Sequence, residues 1–359
     1  MKKILIIQNK RIGDVLIASV IANNMKQVFP ESEVTFFVYD YTVGVIENNP
    51  NVDHIISVRE KELKKLPNLF RTTLSLRREK FDIIFDPYGK LQSRLICLFS
   101  GAPVRIGLKT KNKKSRIPFY THPVPVVEKR TTIYGRAIED RVKMITSLFK
   151  LRDPDYKPHI FLTGEDQSYS VIDHLERPVV VLGVLGSTPK KSMPYTYVAE
   201  LIDFISDNYK CTLIFNYAPH QKEDAMEIYN LCQNKSSIIP DIYEESIRGF
   251  IRLMNKSDLL IANEGGSVHI AKALEKPTFT IYSPYISKEH WNSFEDGIHH
   301  DSIHLLEEQP DLFTNFSKKE RRSIEENPET LYRKLTPEMI LTKMKPFLDR
   351  HLKPKTGSS

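Results

Sequence analysis

The chain reads as an α/β protein of two Rossmann-like domains whose parallel sheets face a central cleft. Two observations carry that expectation. Short apolar runs alternate with stretches of helical spacing from residue 4 to residue 282, the pattern of repeated βα units with helices on both faces of a parallel sheet. The alternation breaks over 150–178, where Asp153, Pro154, Pro158, Gly164 and Pro178 lie among polar residues, as in an interdomain linker. With 359 residues, the chain is long enough for two separate cores.

The elements follow in order. Residues 4–7 form an apolar strand, too short for a signal peptide and without a small-residue cleavage site after it. The next helix has Val15, Leu16, Ser19, Val20 and Met25 at helical spacing. Strands are expected at 34–39 and 54–58, a basic helical stretch at 61–80, a strand at 82–85, a helix at 91–100, a short strand at 104–107 and a helix at 136–148. After the linker come strand 179–183, helix 197–205, strand 212–216, helix 223–231, a short strand near Ile238 and helix 247–254. A strand at 259–262 then enters a loop, a helix with Val268, Ala271 and Leu274 on one face, and strand 278–282. Residues 285–328 are polar and receive no assignment. A last helix runs from Pro337 to about Leu352, with Thr336 as N-cap and Pro337 at the first position. The expected domains are 1–155, for the acceptor, and 156–335, for a nucleotide-sugar. A C-terminal helix and tail, 336–359, is expected to pack back on the first.

Apolar residues make up 40% and charged residues 27%, which describes a folded chain and excludes a disordered one. The net charge of +7 favours acidic partners: a nucleotide, a phosphorylated glycan, an anionic membrane surface or a nucleic acid. No zinc motif, RNP sequence or helix-turn-helix is evident and Lys and Arg are dispersed, so a nucleic-acid binder is the less favoured class. Cys97, Cys211 and Cys232 are odd in number and lack metal spacing, which points to a reduced, cytoplasmic compartment. No stretch approaches the ~20 apolar residues that span a bilayer, so any membrane contact is expected to be peripheral.

Candidate chemistry lies in loops at the carboxyl ends of strands, where open α/β sheets bind ligands. The first strand leads into Lys10, Arg11, Ile12, Gly13 and Asp14. Asp14 stands where the helix begins, so helix capping accounts for it as well as a general base does. No GxGxxG is present, which weakens a dinucleotide reading. In the second half, Gly186, Ser187 and Thr188 can approach a phosphate, and Lys190 or Lys191 can neutralise a diphosphate leaving group; solvated loop lysines are the plain alternative. Further on, Asn263-Glu264-Gly265-Gly266-Ser267 ends a buried strand and opens a helix. Two glycines let the backbone turn sharply and approach a ligand, and the helix N-terminus suits a phosphate. Glu264 is placed to accept sugar hydroxyls and His269 to donate to a diphosphate oxygen. Asp153-Pro154-Asp155 has D-x-D spacing but lies in the linker, and no metal set is evident.

Two basic segments remain. Lys61, Lys64, Lys65, Arg71, Arg77, Arg78 and Lys80 interleave with Leu63, Leu66, Leu69, Phe70, Leu74 and Leu76, as at an anionic membrane surface or around acceptor phosphates. An amphipathic helix packed on the core, with a solvated basic face, explains the same pattern. Lys109, Lys111, Lys113, Lys114 and Arg116 form a second basic loop. Candidate acceptor contacts are Lys10, Arg11, Gly13, Lys61, Lys64, Lys111 and Lys113.

GDVL at 13–16 after the first strand, FDIIFD at 81–86, RIG at 105–107, KSMP at 191–194 and NEGGSVHIAKAL at 263–274 together resemble the glycosyltransferase family 9 heptosyltransferases, in the same order through residues 1–285. The resemblance implies a GT-B architecture and a metal-independent inverting transfer. The implied donor is ADP-L-glycero-D-manno-heptose, bound as a co-substrate with no resident cofactor. The implied acceptor is phosphorylated, lipid-linked inner-core lipopolysaccharide at the cytoplasmic face of the inner membrane. It further implies that Asp14 is the base and Lys191 the phosphate-binding lysine. The phosphate loop falls on Gly186, Ser187 and Thr188, and the donor motif on Glu264, Gly265, Gly266, Ser267 and His269. Glu264 stands where the family has Asp, Gly265 where it has Thr, and Met193 where it has Trp; Gln221 is the nearest polar residue to a position where the family often has Glu. A GT-B enzyme with another nucleotide-sugar, or a sugar-nucleotide epimerase, is the alternative, and product analysis on donor alone separates the latter.

Overall fold

The structure is a computed structural model that describes residues 1–109, 118–314, 316–327 and 329–355. It divides into two units, Met1–Thr163 with Glu289–Ser293, and Gly164–Lys288 with Phe294–Ser359.

The first unit holds six strands: β1 (Lys3–Ile7), β2 (Glu33–Tyr39), β3 (His54–Val58), β4 (Ile83–Asp86), β5 (Val104–Lys109) and β6 (His122–Pro125). They form one sheet in the order β3-β2-β1-β4-β5-β6, every pair parallel. Side chains alternate between the faces of a strand, yet Ile4, Leu5, Ile6 and Ile7 are all fully buried, so helices cover both faces. On one face Leu5, Ile7, Phe37 and Ile84 meet Leu69 and Leu76 of helix Leu66–Arg78 and Ile96 and Cys97 of helix Leu91–Phe99. Each such buried Leu or Ile contributes about 1.5–3 kcal/mol relative to exposure. The unit runs on to Thr163 because the chain after the last helix stays tied to it: Asn24 bonds the backbone of Asp155 in both directions, at 2.7 and 2.8 Å, and Tyr156 stacks on Tyr134 at 4.7 Å.

The second unit repeats the plan with β7 (Val179–Gly183), β8 (Tyr209–Lys210), β9 (Thr212–Asn216), β10 (Ile238–Ile239), β11 (Leu259–Asn263), β12 (Thr278–Ile281), β13 (His300–Ile303) and β14 (Lys353–Pro354). Six of these form a parallel sheet in the order β10-β9-β7-β11-β12-β13, and β8 pairs antiparallel with β14. β7 and β11 approach so closely that a Cβ on Gly183 would lie 2.6 Å from that of Ala262.

Several features differ from the sequence reading, among them the short antiparallel pair β8 and β14, which it did not contain. β6 and β13 were not foreseen: both are edge strands, β6 carries two prolines that only an edge tolerates, and β13 is polar at its start, so neither forms an apolar run. The basic stretch 61–80 is two helices, Glu60–Leu63 and Leu66–Arg78, the second opening with Pro67 in its first turn. The last helix, Pro337–His351, is capped by Thr336 as expected, but packing on the first domain is corrected. Its Ile340, Met344, Phe347 and Leu348 lie in the second unit's core, Phe347 against Phe279 of β12 at 5.7 Å, and Tyr209 donates to Asp349 at 2.6 Å. That stripe needs a sheet face to bury it, and the sheet of β7–β13 supplies one.

Candidate active site

In the first unit the site grows from the end of β1. The helix there runs Ile12–Val28 and its N-cap is Arg11, which makes no side-chain cap bond. Asp14 is therefore a residue of the first turn and not the cap, and the capping explanation falls away. Its carboxylate is buried, 6% exposed. Lys10 donates to it at 2.7 Å, and the Arg141 guanidinium, from helix Arg136–Thr146, lies 3.9 Å away. The negative end of a side chain in the first turn also meets the favourable end of the helix dipole.

Residues far along the chain complete this group. Trp291 lies under the Lys10 ammonium, 5.2 Å from ring centroid to nitrogen, and His290 meets the Trp291 ring edge-on at 4.7 Å. Burial, and then the charges of Arg141, Arg136 and Lys10, push the His290 imidazole down to about 4, so it is neutral at physiological pH. The segment Glu289–Ser293 is held by the loop before helix Arg136–Thr146. Arg130 donates to the Asn292 carbonyl at 3.3 Å, Arg136 faces Glu289 at 3.8 Å, and Gly135, in the left-handed region at φ 84°, leaves room for Ser293. No local signal marks Arg141, His290 or Trp291, because the contacts that give them meaning span more than a hundred residues.

Of the other expected acceptor contacts, Gly13 is buried in the helix and Arg11 is exposed beside it. Lys61 and Lys64 are exposed on helix Glu60–Leu63 and just after it; Lys64 pairs with Glu60 at 2.8 Å. Glu60 in turn accepts from Tyr41 at 3.5 Å, and Tyr41 donates to the Lys10 carbonyl at 3.3 Å, so this corner adjoins the Asp14 loop. Lys111 and Lys113 lie outside the described residues, as does the side chain of Lys190.

In the second unit, the loop after β7 folds back on itself. A Cβ on Gly186 would sit 2.1 Å from the Lys191 carbonyl oxygen, so only glycine fits. Ser192 accepts from the Gly186 amide at 2.9 Å, and Gln221 donates to the Gly186 carbonyl at 2.8 Å while accepting from the Ala218 amide at 3.0 Å. Gln221 is thus a strut of this loop, with both ends of its amide engaged. Ser187 and Thr188 are exposed at the loop's tip, and Met193 is buried in the core beneath it.

The loop delivers Lys191 to Glu264, with Nζ 3.1 Å from Oε1 and 3.2 Å from Oε2. Glu264 follows β11 and is only 8% exposed. Burial raises its carboxyl above the usual range, and the Lys191 charge opposes that rise. Beyond it, helix Gly266–Ala273 begins with Gly266 and Ser267 half-exposed, and His269 lies in its first turns. The sharp turn expected of Gly265 is corrected: its backbone is extended, at φ 164°, and a Cβ there would meet nothing within 4 Å. The space beside Gly265 at the helix N-terminus is therefore open.

A cavity of about 700 Å³ opens nearby in the same unit, lined by Tyr217, Met226, Asp241, Tyr243 and Glu244. Tyr217 and Tyr243 stack at 4.3 Å with their planes 7° apart. Its lining is mixed, with Met226, Pro240 and the two tyrosines beside Lys222, Asp241, Glu244, Glu245 and Ser246. Among the described residues, no group of three or more His, Cys, Asp or Glu is arranged to hold a metal.

The model of glycosyltransferase family 9 (heptosyltransferase) matches residues 69–315. Lipopolysaccharide heptosyltransferase 1 of Campylobacter coli is 22% identical over 307 residues, covering 82% of this chain and 87% of that protein. A solved family 9 glycosyl transferase from Veillonella parvula superposes with a TM-score of 0.75 at 16% identity, over 97% of each chain. The Escherichia coli heptosyltransferase WaaC, solved with ADP, gives 0.65 at 16% identity, over 97% of this chain and 99% of that one. The two parallel-sheet domains are those of the GT-B heptosyltransferases, and the chain belongs to glycosyltransferase family 9.

Proposed function

We propose that this glycosyltransferase moves heptose from ADP-L-glycero-D-manno-heptose to the inner core of a lipopolysaccharide or lipooligosaccharide. The observation that carries the donor half is the meeting of Lys191, the Gly186 loop and the helix N-terminus after Glu264 in one unit. A cation, two exposed hydroxyls and the positive end of a helix dipole suit a diphosphate. ADP is the nucleotide found with the Escherichia coli neighbour, and the stacked tyrosines of the adjoining cavity suit a nucleobase.

In the proposed reaction Asp14 takes the proton of the acceptor hydroxyl as its oxygen bonds to the anomeric carbon. The bond from that carbon to the diphosphate oxygen breaks, with inversion through an oxocarbenium-like transition state. Lys10 and Arg141 orient the Asp14 carboxylate; Lys191 neutralises the departing ADP without a metal. Gly13, Lys10, Arg11, Lys61 and Lys64 are proposed to meet the acceptor. The proposed acceptor is lipid-linked, and the enzyme is proposed to work at the cytoplasmic face of the inner membrane as a peripheral protein.

Calorimetric titration with ADP, UDP, GDP and CMP, each in EDTA, tests the donor. Selective ADP binding is expected; preference for UDP or GDP moves the donor to another nucleotide-sugar. Asp14→Asn is expected to lower transfer to truncated lipopolysaccharide by about a hundredfold or more with ADP affinity unchanged. Full activity in that variant removes Asp14 as the base. Lys191→Ala is expected to weaken ADP binding, and unchanged affinity shows that another cation holds the diphosphate.

A further inference from the structure

Helix Leu66–Arg78 carries two apolar stripes, and packing uses only one. Leu69, Thr73 and Leu76 face the core and are buried. Leu66, Phe70 and Leu74, spaced i, i+4, i+8 on another face, are 77%, 66% and 40% exposed. The neighbouring helix adds exposed Leu91 and Phe99, and Arg77 of the first helix donates to the Phe99 carbonyl at 3.1 Å. Five of the twelve large apolar side chains exposed among the described residues thus lie on these two helices. Single exposed leucines mean little, but a clustered stripe marks an interaction surface.

The charge around the stripe selects the partner. Residues 59–80 hold eight basic and three acidic side chains, a net +5 out of the chain's +7. Glu60 and Glu62 pair with Lys64 and Lys65, and Glu79 faces Lys3, while Arg59, Lys61, Arg71, Arg78 and Lys80 are exposed. A second copy docked face to face would set like charge against like. A nucleic acid would use the charge and leave the apolar stripe in water. Among the described residues no helix is long and apolar enough to cross a membrane.

We propose that this helix docks the enzyme on an anionic bilayer, with Leu66, Phe70 and Leu74 entering the headgroup–acyl boundary and Arg71 and Arg78 among the lipid phosphates. The stripe begins at the corner that adjoins the Asp14 loop through Glu60 and Tyr41, which suits a lipid-linked acceptor. The link to the acceptor and the peripheral location rest on the function proposed above; vesicle binding is measured without donor or acceptor, so it can fail while ADP binding and heptosyl transfer stand.

The test is flotation of the full chain with vesicles of phosphatidylcholine alone and of phosphatidylcholine with phosphatidylglycerol. Binding is expected on the anionic vesicles only and is released by salt. The variant L66S/F70S/L74S is expected to partition at least about tenfold more weakly, and R71E/R78E likewise. Unchanged thermal unfolding and ADP affinity show that both variants are folded. Equal binding to both vesicle types, or no binding, overturns the proposal. So does an L66S/F70S/L74S variant that binds as the wild type does, which would leave charge alone. A concentration-dependent dimer in sedimentation that the same variant abolishes assigns the stripe to a second copy and equally overturns it.

Discussion

At Asp14 a buried carboxylate meets two cations, and one of them, Lys10, is itself seated on an aromatic ring. Trp291→Ala removes a cation–π contact worth about 0.5–2 kcal/mol and frees Lys10. It is expected to lower the turnover of transfer with little effect on ADP affinity, and Trp291→Phe to restore most of it; steady-state kinetics on the two variants checks this. His290 gives a prediction in pH. Its folded pKa, about 4, lies below the ordinary imidazole value of 6.5, so between those values the unfolded chain binds more protons. The stability it contributes is present above about pH 6.5 and is lost as pH falls toward 4. His290→Gln is therefore expected to lose less in melting temperature than the wild type between pH 7 and pH 5. A third residue, Gly186, tolerates no Cβ. Gly186→Ala is expected to cost about 1–3 kcal/mol of stability, by overpacking the loop, and to weaken ADP binding; denaturant unfolding and calorimetry measure the two.

The elements that bear the site are short loops between a buried strand and a helix, and their apolar strands were plain in the residues. β1, β7 and β11 are continuous apolar runs because parallel strands are covered on both faces. The helix after β1 begins at Ile12 and not at Asp14, since its N-cap lacks the usual Ser, Thr, Asp or Asn to announce it. The loop after β7 was legible as a phosphate-binding candidate from Gly186 and Lys191. The strut role of Gln221 was not, because it comes from the loop after β9, thirty-five positions on. In the basic stretch 61–80, composition alone left core packing and membrane contact equally open. The helical register shows one leucine stripe buried in the core and the other exposed, and the vesicle experiment tests whether a bilayer meets the second.

For the whole molecule, Lys191, Gly186 and Glu264, the groups proposed to bind the nucleotide, lie in the second unit and Asp14 in the first. ADP at about a hundred times its dissociation constant is expected to stabilise what it binds by about 2.7 kcal/mol. Hydrogen exchange is then expected to slow in residues 184–193 and 264–270 and to stay unchanged in helix Leu66–Arg78. Uniform protection of both units by ADP counts against that division.

Residue order alone was enough for the two α/β sheets and for the loops that carry Asp14, Lys191 and Glu264, because strand period, helix period and turn chemistry are local properties of a chain. It was not enough for the edge strands β6 and β13 or for the docking of the last helix, since these depend on which sheet face is left uncovered. Nor could it place Trp291 and His290, which follow β12 of the second sheet yet belong to the first unit beside Lys10. Their position is set by contacts with Arg130, Gly135 and Arg136, more than 150 residues away in the chain, and no local pattern encodes such contacts.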